Sequence, residues 1–177
     1  PYLDLQLRSN ADSSALNSWN NGGSKNIAGA VAGSPSASQR SARPACNPGD
    51  AGSSYALVTF PSIQQYGYAG VSGDGDWSVL LQRSMVHWSG SAAPGQKGNV
   101  IIAFHREPAY EHIDQLGLGG TITVQDRSCH VWQYQVTGRW DIPPDKVTQL
   151  VSTTGHDLTL ITCTPFWVDT HRLVWRA

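Results

Sequence analysis

Three side chains near the ends of apolar runs have the types and spacing for acyl-transfer chemistry. Cys163 closes the run Leu158-Thr159-Leu160-Ile161-Thr162-Cys163 and stands directly before Thr164-Pro165. A strand halted by a proline holds its last side chain at a sheet rim, fixed by the scaffold yet open to a ligand. Only the thiolate of a cysteine attacks, so a base or a cation must stand near it. His105 follows the apolar residues 100–104 and therefore sits at a second strand exit. Arg172 lies nine positions beyond Cys163, next to His171, and a short return would bring either residue to the thiol. Arginine is no base at neutral pH, but it can clamp a carbonyl or donate to a developing oxyanion. Each residue also has an inert reading: a core cysteine, a loop histidine, a solvated strand arginine. Types and spacing alone leave both readings open.

Composition narrows the field. Lys and Arg total 12 against 13 Asp and Glu, a formal charge of −1, with 14% charged residues. That balance excludes a partner held mainly through its phosphates, so no nucleic acid is expected. No apolar stretch has the length of a bilayer span, and residues 1–30 lack the apolar segment of a secretory leader. Zinc signatures such as Cys-x-x-Cys and His-Glu-x-x-His are missing, so neither metal nor cofactor is expected. Cysteines number three. Cys46, in a turn, and Cys129, at a strand start, could form a disulfide that leaves Cys163 as the odd thiol.

These side chains need elements to position them. Residues 1–54 are rich in Ser, Ala, Asn and Gly and read as an extension, either a stalk or a segment draped over the rest. From residue 55 the punctuation becomes regular. Strands are expected over 55–60, 66–71, 100–104, 121–125, 129–137, 157–163 and 171–176. Residues 73–76 read as a turn, 76–82 as a short helix or extended run, and 111–116 as a helical turn. Residues 141–150 read as a loop carrying a short helix. So many short strands need protected edges, which predicts an all-β, closed or nearly closed barrel with few helices over 55–177.

Three segments, in order, carry a resemblance. Asn99-Val100-Ile101-Ile102-Ala103-Phe104-His105-Arg106, then Leu158-Thr159-Leu160-Ile161-Thr162-Cys163-Thr164-Pro165, then His171-Arg172-Leu173-Val174-Trp175-Arg176-Ala177 resemble the signature segments of the sortases. The likeness spans residues 57–177 and looks closest to housekeeping or class D, E or F sortases of Gram-positive and actinobacterial type. It implies an eight-stranded β-barrel and a cysteine transpeptidase, with Cys163 as nucleophile, His105 as general acid and base, and Arg172 steadying the oxyanion. Arg176, on the same strand face, is the natural rival to Arg172. Thr162, Phe104 and Thr164 would shape the substrate groove. Phe104 stands where many relatives have Gly, and its ring would narrow that groove.

The same resemblance implies cleavage of a Leu-Pro-x-Thr-Gly-like sorting signal after Thr. Its partners would be that peptide and an amine acceptor on a peptidoglycan precursor or a pilin. A monomer at the extracellular face of the membrane is expected. Papain-like peptidases place Cys before His, the reverse of this order, and the Ser/Thr-His-Gly-Cys pattern of L,D-transpeptidases is missing. A non-enzymatic alternative is a barrel binding cell wall or carbohydrate through exposed aromatics. Against it, Trp132 and Trp175 fall in strands with apolar alternation.

Overall fold

The computed structural model describes residues 2–21 and 54–177. Its strands are β1 Ala56–Thr59, β2 Ala69–Gly75, β3 Met85–Trp88, β4 Gly98–Phe104, β5 Thr121–Gln125, β6 Val131–Gln135, β7 Gly138–Ile142, β8 His156–Thr164 and β9 His171–Arg176. They form one curled sheet in the order β6-β5-β1-β2-β3-β4-β8-β9-β7. Two pairs are parallel, β2–β3 and β4–β8, and the others are antiparallel. The expected all-β architecture is present.

Nine strands stand where eight were expected, and the chain itself explains the difference. β6 and β7 lie at opposite ends of the sheet order but are joined only by Val136 and Thr137. Val136 exchanges backbone bonds with Gly119 and Gly120, extending the β5–β6 ladder, while the Thr137 N–H donates to Arg176 and extends the β7–β9 ladder. One bent stretch therefore serves both edges. β7 was not foreseen because its side chains are exposed or half-buried throughout and offer no apolar face. β3 was missed as well, being four residues long. β2 starts later than expected and runs through the stretch read as a turn.

Alternation sorts the strands' side chains into two packed layers. Ile102, Phe104, Leu158, Leu160, Leu173 and Trp175 belong to the main core inside the sheet. On the outer face, Val86, Ala103, Ile161 and Val174 form a smaller cluster with Val79, Leu80, Val147 and Leu150. β4 is buried along its whole length, as a strand covered on both sides must be.

A helix, α1 Tyr2–Asn21, lies in the stretch where the sequence suggested no element. It has little helical periodicity to announce it, and tertiary contacts hold it. Ala15 and Trp19 pack against Val71, Leu57 and Cys129, and the Trp19 indole N–H donates to Gln125 Oε1 at 2.9 Å. No described helix is long and apolar enough to cross a membrane. Cys129 is disulfide-bonded and Cys163 is a free thiol. Cys46, the partner expected for Cys129, lies outside the described residues.

Candidate active site

The parallel β4–β8 pair builds the site. Its register runs Val100 against Leu158 to Ala103 against Ile161, which carries the exits of both strands to the same rim. The Thr162 hydroxyl donates to the Phe104 carbonyl at 2.6 Å and ties the two exits together. Next door, the antiparallel β8–β9 pair sets Cys163 directly opposite Arg172. His105 is thus brought to the same rim of the sheet as Cys163 and Arg172. A cavity of ≈ 300 Å³ opens there, with His105, Cys163 and Arg172 in its wall beside Leu80, Leu150 and Ile161.

Each of the three has defined surroundings. The His105 Nε2 lies 2.9 Å from the Leu80 carbonyl. A carbonyl only accepts, so Nε2 carries the proton and Nδ1 is the nitrogen left for proton exchange. Burial pushes the His105 imidazole below its ordinary range, opposed by the Leu80 carbonyl. Arg8 on α1 adds to the lowering, while Glu107 and Asp12 oppose it. Burial also raises the half-buried Cys163 thiol, against the pull of the Arg172 guanidinium, which favours the thiolate. Both shifts favour the uncharged pair over the thiolate–imidazolium pair.

Arg172 donates from Nη1 to the carbonyls of Asp169 and His171, at 3.1 and 2.9 Å. Nε and Nη2 make no hydrogen bond among the described residues, so they are placed to receive a substrate oxygen. Arg176 is differently occupied. It donates to Thr159 Oγ1 at 2.9 Å and to the Gln149 carbonyl at 2.6 Å, pinning the loop before β8.

Of the expected groove residues, Phe104 and Thr162 line the cavity, and Thr164 does not. Phe104, Thr162 and Thr164 are all buried. The Phe104 ring packs among Phe60, Tyr110 and Trp175, inside the sheet. Alternation requires this, because Phe104 precedes the outward-facing His105. The Thr164 hydroxyl accepts from the buried Arg106 at 2.9 Å. Leu80 was missed by sequence reasoning, and nothing could have flagged it, since a backbone carbonyl leaves no side-chain signature. Leu150, in the loop before β8, and Trp77, at the start of a helical turn, are also in the cavity wall and belong to no motif.

A second cluster imitates a hydrolase triad. His87 Nδ1 stands 2.7 Å from Asp74 Oδ1, and Nε2 stands 3.1 Å from Ser91 Oγ. Nε2 also lies 2.9 Å from the Ala92 carbonyl, so it is a donor and not a base. The Ser91 hydroxyl donates to the Trp88 carbonyl at 2.7 Å and accepts from the Ile101 N–H. Among the described residues Ser91 therefore has no base to activate it. Among the described residues no group of three or more His, Cys, Asp or Glu could hold a metal.

A family model described as the sortase domain matches residues 58–177. A sortase D5 transpeptidase from Clostridium perfringens is 25% identical with a TM-score of 0.61, over 70% of this chain and 77% of that one. A sortase C1 from Streptococcus agalactiae is 30% identical with a TM-score of 0.62, over 72% of this chain and 67% of that one. A Clostridium perfringens sortase C, solved with a C-terminal cell wall sorting motif, shares the fold at 22% identity and a TM-score of 0.58, over 68% of this chain and 66% of that one. Among curated proteins, none matches the sequence. The strand order, the thiol at its rim and a family match over two thirds of the chain have one reading: the chain belongs to the sortases, the cysteine transpeptidases of the cell surface.

Proposed function

We propose that Cys163, His105 and Arg172 are the catalytic residues of this transpeptidase, acting on a Leu-Pro-x-Thr-Gly-like sorting signal. One observation carries the reading: a free thiol, an imidazole and a guanidinium with spare donors line a single cavity. The Cys163 thiolate attacks the Thr carbonyl carbon while its proton resides on His105 Nδ1. The oxyanion forms beside Nε and Nη2 of Arg172, where charge-assisted donors strengthen as charge develops. As the C–N bond breaks, His105 gives its proton to the departing amine and a thioester remains on Sγ. An acceptor amine, on a peptidoglycan precursor or a pilin, then loses a proton to His105, attacks the thioester and expels the thiolate. A peptide bond is broken and another formed without net oxidation or hydrolysis.

The apolar wall of Leu80, Leu150 and Ile161 suits the leucine and proline of such a signal. Thr162 and Phe104 shape the groove as part of the cavity wall, and Thr164 supports it through its bond to Arg106. Residues 55–177 form the catalytic barrel, and residues 1–54 an extension that includes α1. The Cys46–Cys129 pairing, a monomeric state and a position on the extracellular face of the membrane belong to the same reading.

Intact-protein mass spectrometry with a panel of sorting-signal peptides tests it. The expected result is an acyl adduct on the parent protein, absent from Cys163→Ala and discharged by a glycine or diaminopimelate amine. An adduct that persists in Cys163→Ala would assign the chemistry elsewhere.

A further inference from the structure

His105 is held at both its ends by one short stretch of chain. Its backbone N–H donates to the Ser84 carbonyl at 2.8 Å, and its ring Nε2–H donates to the Leu80 carbonyl at 2.9 Å. Leu80 ends within the helical turn Trp77–Leu81, whose start is capped by the Asp76 carboxylate accepting from the Ser78 N–H. Whatever locates residues 80–84 therefore locates both the backbone and the ring of the histidine.

The outer contact of that stretch comes from the far N-terminal part of the chain. The Ser84 N–H donates to Asp12 Oδ1 on α1 at 3.1 Å. Arg8, Asp12, Ala15 and Trp19 follow the i, i+4, i+7, i+11 spacing of one helix face. Burial agrees, for Ala15 and Trp19 are buried while Arg8 and Asp12 are half-buried. Trp19 anchors this face through its bond to Gln125 and its packing on Val71. The charged groups that reach His105 are Arg8 and Asp12 from α1 and Glu107 from the segment after β4.

We propose that Asp12 is a positioning residue for the catalytic histidine: α1, anchored by Trp19, clamps residues 80–84, and these fix His105 Nε2 and so aim Nδ1 at Cys163. The helix is then a working part of the catalytic unit and not a tether. This rests on His105 being the acid–base residue. In the Asp12→Asn variant the side-chain oxygen still accepts from Ser84, whereas Asp12→Ala loses it.

The test compares Asp12→Asn, Asp12→Ala, Trp19→Ala and the Asp12→Ala/Trp19→Ala pair, on the full chain. Turnover of a sorting-signal peptide, thermal unfolding and the NMR signal of the His105 Nε2–H are measured for each. Asp12→Ala is expected to lower kcat about tenfold with KM within about twofold, since small misplacements of a reacting group act on kcat. It is also expected to broaden or lose the protected Nε2–H resonance. Asp12→Asn should keep that resonance and kcat within about twofold of the parent. Trp19→Ala should resemble Asp12→Ala, and the pair should be no worse than Trp19→Ala alone, because both act through one route. Should Asp12→Ala fail to fold, Trp19→Ala and Asp12→Asn carry the comparison.

Parental kcat and an unchanged resonance in Asp12→Ala would overturn the proposal. So would a higher kcat, which would make α1 a cover over the cavity. The NMR signal needs no turnover, so failure of the sorting-signal reading is distinguishable from failure of the positioning.

Discussion

Arg172 faces Cys163 across the β8–β9 ladder, whereas Arg176 is four residues on and bonded to a different loop. At the scale of residues this separates the two rivals that sequence left on one strand face. Removing the Arg172 cation removes an interaction that favours the thiolate, so the Cys163 pKa moves further up. Arg172→Met should therefore slow alkylation of Cys163 by iodoacetamide at pH 7 and lower peptide transfer by about 10²–10³-fold. Arg176→Met should leave the thiol titration in place. The pH profile of kcat/KM follows from the two opposite shifts. Its acid limb should fall below the ordinary histidine value of 6.5, and its alkaline limb above the ordinary thiol value of 9.0. A profile confined between those values would contradict the burial of the pair. Cys163, His105 and Arg172 were legible because side-chain chemistry is written in residue type. The Leu80 carbonyl and the Asp12 contact were not, because a main-chain acceptor and a long-range docking leave no local pattern.

Elements decide how firmly the two strand exits are held. Thr162→Val keeps the shape of the side chain but leaves the Phe104 carbonyl without its hydroxyl partner. The loss should be about 1–3 kcal/mol of stability, with a fall in turnover because His105 is the next residue. Thermal unfolding and kcat measured together check this. Arg106 is the second fastening. It is buried, donates to Thr164 Oγ1 and the Glu111 carbonyl, and pairs with Asp114 at 2.9 Å. Arg106→Met should cost about 2–3 kcal/mol, mostly through the neutral acceptors it strands, since the half-exposed Asp114 can turn to water. Strands with an apolar rhythm, β4, β5, β8 and β9, were legible in the sequence. β7 was not, because an exposed edge strand has no hydrophobic period to reveal it. α1 was not, because the contacts that stabilise it lie on the barrel and not in the helix.

At the scale of the molecule, the family match begins at residue 58 and leaves α1 outside it. Deleting residues 1–54 should lower kcat if α1 positions His105, leave it unchanged for a simple stalk, and raise it for a cover. The disulfide reading is checked by counting thiols in denatured, non-reduced protein, where one reactive group, Cys163, is expected. Three would remove the Cys46–Cys129 pairing. The class of fold was legible because strand-forming segments recur through residues 55–177, while the strand count was not, because β7 has no apolar face and follows β6 through a bend at Val136 and Thr137.

The parallel pairing of β4 with β8 has a consequence for timing. No hairpin can join parallel strands, so His105 and Cys163 become neighbours only through a long-range closure of the chain between β4 and β8. Until that closure, Cys163 has the reactivity of any solvated thiol and His105 titrates alone. Catalysis is thereby switched on by completion of the fold itself. In a refolding reaction, the arrival of acylated Cys163 should trail the recovery of β-sheet circular dichroism, making the enzyme its own clock for barrel closure.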